Sequence, residues 1–124
     1  MVRVRAFDHL VLNVSDVERS LALYCGELGL EPVRVDEWRA GEVFFPSIRV
    51  NDDTIIDLLG VEHSGTNVDH FCLVIDPVDL DQLAASGRFE VVSGPGPRFG
   101  ARGEGTSLYV LDPDGNTVEL RHYD

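Results

Sequence analysis

Two short stretches of the chain repeat a pairing that can do chemistry. FDHLVLNV puts Asp8 and His9 at the start of one apolar run, and VDHFCLVI puts Asp69 and His70 at the start of another. Two carboxylates hold matching places in runs of the same kind, Asp57 in TIIDLL and Glu119 in NTVELR. Imidazoles combined with carboxylates suit divalent metals of intermediate softness: zinc, nickel, iron, manganese or cobalt. Such a set leaves coordination positions open for substrate or water, as catalysis requires. Taken one at a time, the same residues are ordinary strand positions, a hydrogen-bonded histidine or a solvated glutamate. What decides between the two is whether the strands bring these side chains onto one face.

The elements that carry them form a repeat. In the first half, residues 7–14 read as a strand, followed by a helix capped by Ser15 or Asp16 that shows Val17, Leu21 and Tyr24 on one face and ends near Gly26. Strands at 31–38, 42–50 and 54–59 follow, with Arg39-Ala40-Gly41 and Asn51-Asp52-Asp53 as hairpin turns and Pro46 marking an edge or a bulge. The second half gives a strand at 68–75, a helix opened by Pro77, and a short strand at 88–92. A Gly/Pro loop (SGPGPRFGARGEG) comes next, then strands at 106–111 and 117–122 around an Asp112-Pro113-Asp114-Gly115 turn. His9 and His70 lie 61 residues apart, and Asp57 and Glu119 lie 62 apart, so two landmarks keep nearly one offset. The chain is thus one domain, 1–124, built of two tandem βαβββ modules, 6–60 and 68–123, with a seam at 61–67. Strand alternation sets His9 opposite Leu10 and Leu12, His70 opposite Phe71 and Leu73, and both carboxylates opposite their apolar neighbours. All four polar residues fall on the face turned away from the helices.

Bulk properties narrow the partners. The formal net charge is −12, which repels nucleic-acid backbones and anionic lipid and disfavours anionic substrates unless a cation reverses the local field. No apolar run approaches membrane-spanning or signal-peptide length, so a cytoplasmic location is the expectation. Cys25 and Cys72 lack the spacing of a disulfide framework or metal motif and read as reduced thiols.

In order along the chain, DHLVLNVSDVERSLALYCGELGL, VDHFCLVI and SLYVLDPDGNTVELR resemble the vicinal oxygen chelate superfamily of glyoxalase, bleomycin-resistance and extradiol dioxygenase proteins. The resemblance spans nearly the whole chain. It implies an α+β fold in which paired modules curl a mixed sheet into a cup around one divalent metal, commonly in a homodimer. The metal ligands it implies are His9, His70 and Glu119. Asp57 stands where the glyoxalase I branch carries a glutamate, one methylene longer, and is a fourth ligand or a base.

The chemistry that follows is metal chelation of a small oxygenated metabolite or electrophile with proton transfer, in a glyoxalase-like lyase or isomerase. The alternatives are an extradiol-type non-haem Fe(II) dioxygenase, using two histidines and one carboxylate, and a metal-free protein of the bleomycin-binding kind. Fosfomycin-modifying members share a segment resembling GEGTSLYVLDPDG, but Val11 and Phe99 stand where they carry a threonine and a lysine. Arg121, Tyr109 and Ser107 are candidates for substrate binding: Arg121 shares the parity of Glu119, and Ser107 and Tyr109 share one strand face. Arg98 and Arg102, in the Gly/Pro loop, read as a mobile lid or as solvated residues. Trp38, Phe44 and Phe45 read as pocket wall or dimer core. His63 and His122 are not expected to bind metal.

Overall fold

A computed structural model describes residues 2–62, 65–111 and 115–123 of the 124-residue chain. It divides into two compact units, Met1–Asp8 with His70–Asp124, and His9–Asp69. Among the described residues no helix is long and apolar enough to cross a membrane. His63 and the first three residues of the expected Asp112-Pro113-Asp114-Gly115 turn lie outside the described residues.

In the His9–Asp69 unit, β1 (Val4–Val14, whose first five residues belong to the other unit) leads into α1 (Val17–Leu21). Asp16 caps α1 by accepting the Arg19 amide at 3.1 Å, and the helix continues as a π-helical stretch over Ala22–Glu27. Strands β2 (Glu31–Val33), β3 (Ser47–Asn51) and β4 (Thr54–Gly60) complete it. β4 pairs parallel with β1 and antiparallel with β3, and β3 pairs antiparallel with β2, giving the order β2-β3-β4-β1. Val17, Leu21, Val35, Ile48 and Leu58 form the core. Fully buried Ile48 and Leu58 each contribute about 2 kcal/mol by leaving water.

Two expectations fail here. The strand expected over 31–38 stops at Val33, because Arg34 takes a left-handed backbone (φ 59) and a helical turn, α2 (Val35–Arg39), follows. Val35 and Trp38, three apart, then face the core together, and Asp36 and Glu37 sit favourably in the first turn. The spacing of Val35 and Trp38 fits a helix, whereas on an alternating strand the two would face opposite sides. With α2 in place, Arg39-Ala40-Gly41 is no hairpin turn, and the next strand begins at Ser47, just after Pro46. Trp38 covers this unit's core, Phe45 lies under the Arg34 guanidinium, and Phe44 is 94% exposed.

In the other unit, β5 (Val68–Ile75), α3 (Leu80–Ala85), β6 (Glu90–Gly100), β7 (Gly103–Leu111) and β8 (Thr117–His122) repeat that connectivity. β8 pairs parallel with β5 and antiparallel with β7, and β7 pairs with β6, in the order β5-β8-β7-β6. The opening residues of β1 join this unit, where the Arg3 carbonyl accepts the Asp76 amide at 2.8 Å. Ile75, Leu80, Leu108, Val110 and Leu120 form its core. Asp79, not Pro77, begins α3 by capping Gln82 at 3.0 Å.

The Gly/Pro stretch is not a loop. It forms most of β6 and, with β7, a long hairpin turning at Ala101-Arg102. Its prolines are tolerated because β6 ends the strand order and its register shifts twice, between Val91 and Ser93 and between Ser93 and Gly96. Of the two readings given to Arg98 and Arg102, a lid or solvated residues, the second agrees with their exposure, although the segment is a strand and a hairpin turn and not a loop. Arg98 lies on β6 over the Tyr109 ring, and Arg102 lies at the hairpin turn over Tyr123.

Candidate functional site

Register places the chemistry. In the first unit β1 and β4 set Val11 opposite Asp57, and β3 sets Ser47 opposite it on the other side. His9 precedes Val11 by two residues and shares its face. His9 Nε2 therefore comes within 3.8 Å of Asp57 Oδ2, while Ser47 Oγ donates to Asp57 Oδ1 at 2.5 Å. His9 and Asp57 are each 2% exposed. Arg34 supplies the nearby positive charge: burial pulls its guanidinium below the usual arginine value, and Asp57 and then Glu37 partly restore it.

The second unit repeats the arrangement. β5 and β8 set Cys72 opposite Glu119, with His70 two residues before Cys72. His70 Nε2 lies 3.1 Å from Glu119 Oε1. Ser107 Oγ donates to Glu119 Oε2 at 2.7 Å, and Arg121 Nη2 donates to the same oxygen at 2.9 Å. Each carboxylate is thus held by one oxygen, through a serine, and turns the other towards a histidine. In both units buried apolar neighbours share this face, Val11 in one and Cys72 and Val74 in the other.

The sequence places Arg121 at a rim or on the surface, but it is fully buried. Its guanidinium reaches Glu119, the carbonyls of Phe99 (3.0 Å) and Arg98 (3.3 Å), and the Tyr123 hydroxyl (3.1 Å). Burial is the largest single influence and would lower its pKa, but the charge of Glu119, then Cys72, the hydrogen bond to Glu119 and Tyr123 together outweigh it, and the net shift is upward. Tyr109 is half-buried, edge-on to the His70 ring with centroids 5.3 Å apart. Burial and then the Glu119 charge push its phenol above the ordinary tyrosine range, so it stays protonated and able to donate.

Asp8, Ser47 and Tyr123 are the residues that sequence reasoning passes over. Ser47 was out of reach, because counting from the two-residue turn at Asp52-Asp53 sets Ile48 opposite Asp57, and only the register shift between Arg49 and Asn51 brings Ser47 there. Asp8 looks equivalent to Asp69, yet Asp8 is fully buried and Asp69 is exposed. Asp8 accepts the Ala101 amide at 3.0 Å and the Tyr123 hydroxyl. No local pattern announces this contact, since its partners lie 93 and 115 residues away.

Comparisons with known proteins agree with the topology. The model of the Glyoxalase/Bleomycin resistance protein/Dioxygenase superfamily matches residues 6–120. Virulence protein STM3117 of Salmonella typhimurium is 29% identical over 121 residues, covering 94% of this chain and 83% of that protein. A probable lactoylglutathione lyase of Synechocystis is 25% identical over 122 residues, covering 90% of this chain and 91% of the lyase. The Mn(II)-bound glyoxalase from Novosphingobium aromaticivorans matches with a TM-score of 0.69 at 22% identity over 98% of this chain, a likeness of fold. This chain spans 40% of that glyoxalase's length. With a family model matched from residue 6 to residue 120, the chain belongs to the Glyoxalase/Bleomycin resistance protein/Dioxygenase superfamily.

Proposed function

We propose that His9, His70 and Glu119 hold one divalent cation and that the protein is a glyoxalase-like lyase or isomerase. The observation that carries this is the doubled His–carboxylate pair. In each unit a serine ties down one carboxylate oxygen and the other oxygen faces an imidazole nitrogen. Donors bound side by side at about 2.1 Å from a metal stand roughly 3 Å apart. The His70–Glu119 separation of 3.1 Å fits that spacing. His9 and Asp57 are wider, at 3.8 Å, which favours Asp57 as a base over a direct ligand.

His9, His70 and Glu119 would hold the cation, and when bound it would supply Lewis acidity towards adjacent oxygens of a small substrate. The chain's own residues do the rest. Asp57 Oδ2 takes a proton from a substrate carbon and returns it, while Ser47 holds Oδ1 and fixes the direction of attack. Tyr109 keeps its proton and donates to a substrate oxygen. Arg121 and Ser107 hold Glu119 in place. Support for a lyase also comes from the Synechocystis relative, named a probable lactoylglutathione lyase. Elemental analysis of untagged protein tests the reading. One ion per chain is expected, lost in both His9→Ala and Glu119→Ala; an unchanged metal content in either variant refutes it.

The 3.8 Å gap at Asp57 also supports a second reading, in which only two histidines and Glu119 bind and the metal is Fe(II). Oxygen uptake by anaerobically loaded Fe(II) protein with a panel of catechols would select this dioxygenase reading, and no uptake would reject it.

A further inference from the structure

A chain of hydrogen-bonded polar groups, most of them buried, runs from the β6–β7 hairpin turn to Glu119, and nothing in the proposed chemistry uses its far end. The Ala101 amide donates to one oxygen of Asp8, and the other oxygen accepts the Tyr123 hydroxyl. That hydroxyl accepts in turn from Arg121 Nη1 at 3.1 Å and from the Arg102 amide at 3.2 Å. Arg121 then donates through Nη2 and Nε to a single oxygen of Glu119, at 2.9 and 3.3 Å. Asp8, Arg121 and Glu119 are at most 1% exposed, and Tyr123 is partly buried.

The seat around Arg121 is close-fitting. A Cβ added at Gly100 would collide with the Arg121 guanidinium and the Tyr123 hydroxyl, and one at Gly105 would come within 2.9 Å of the His122 carbonyl. The guanidinium is held by carbonyls on its Nη2 side. On the Nη1 side it is held by Tyr123 at 3.1 Å and, more distantly, by the Gly103 carbonyl at 3.4 Å. Without the tyrosine hydroxyl the plane can pivot about Nη2, and that motion swings Nε away from Glu119.

We propose that Tyr123 and Asp8 are positioning residues for Glu119, acting through Arg121 to fix which carboxylate oxygen faces His70. The part of this inference that concerns metal affinity rests on the ligand set proposed above; the part that concerns Arg121 does not.

The experiment uses the full chain with Tyr123→Phe and, separately, Asp8→Asn, which keeps shape and removes charge. Hydrogen exchange of the Arg121 Nε–H, followed by NMR in metal-free protein, should quicken about tenfold in each, the equivalent of one hydrogen bond to a charged group. Mn²⁺ affinity, from titration by electron paramagnetic resonance, should fall by about 10- to 100-fold, as it does when groups supporting a ligand are removed. Arg102→Ala serves as the control. It removes the cation stacked on Tyr123 and weakens the hairpin turn, yet keeps the backbone amide, so thermal stability should drop while both other readouts stay at wild-type values.

Unchanged Arg121 exchange in both Tyr123→Phe and Asp8→Asn overturns the positioning role. So does an equal change in Arg102→Ala, because the effect would then be loss of hairpin stability alone. Wild-type protein that binds no Mn²⁺ but shows the Arg121 effect refutes the metal reading and leaves the positioning role standing.

Discussion

Arg121→Met tests how the second unit handles its buried charge. Methionine keeps the length of the side chain and removes every donor. The substitution leaves Glu119, 1% exposed, with Ser107 and His70 but without the guanidinium that supplied two of its contacts. It also removes one donor from each of the carbonyls of Arg98 and Phe99. Removing one partner of a buried ion pair costs about 3–5 kcal/mol, because the other charge stays behind in a dry site. That is a large share of the roughly 5–15 kcal/mol that holds a domain together. For a chain of this size the midpoint of thermal unfolding should fall by about 10–20 °C. A second change separates the lost pair from lost packing. Arg121→Met with Glu119→Gln leaves no stranded charge, and about half the loss should return. Thermal and urea unfolding of the four proteins measure both quantities. A loss below about 1 kcal/mol in the single variant, or a double variant no more stable than Arg121→Met, would refute the buried-pair account.

Three further outcomes follow from other residues. Asp57→Asn should keep the fold and the metal content but lower turnover by about 100-fold or more; full activity would remove Asp57 from the chemistry. Trp38→Ala should cost about 3 kcal/mol because Trp38 seals the first core, whereas Phe44→Ser should change stability by less than about 0.5 kcal/mol; comparable losses by urea unfolding would contradict that placement. Tyr109 and Tyr123 both have phenols raised above the ordinary value, so the folded chain holds these protons more tightly than the unfolded one. Their contribution to stability is therefore complete below about pH 10 and is lost as pH climbs beyond it. A 295 nm titration in which the difference between wild type and Tyr109→Phe ionises in the ordinary range would show that shift to be wrong.

Strand parity was more legible in the sequence than the bounds of the elements. Alternation of polar and apolar residues put His9, His70, Asp57 and Glu119 on the face away from the helices, and the observed cores obey that parity: Leu58 and Ile56 in one, Leu73 and Leu120 in the other. Period alone misleads where a segment is short. Val33 and Val35 keep the parity of a strand, but Trp38 breaks it and joins Val35 at helical spacing, and Arg34's left-handed backbone ends the strand before these two. The glycines and prolines of β6 were read for their turn-forming habit, but pairing with a long partner outweighed it at the end of the strand order. Arg121 shows a different failure. Its charge argued for exposure, and its burial is offset by Glu119 and Tyr123, each two residues away, together with carbonyls of β6 that lie 22 and 23 residues back.

The hairpin that holds Arg121 does so with main chain. Carbonyl oxygens at Arg98 and Phe99 are present whatever side chains stand there, so drift at those two positions leaves the acceptors untouched. The vulnerable positions are the bare ones. At Gly100 the smallest possible addition, a single methyl group, intrudes on the guanidinium itself. Relatives that keep a buried arginine here should thus vary freely in chemistry along this strand while holding constant only an empty space.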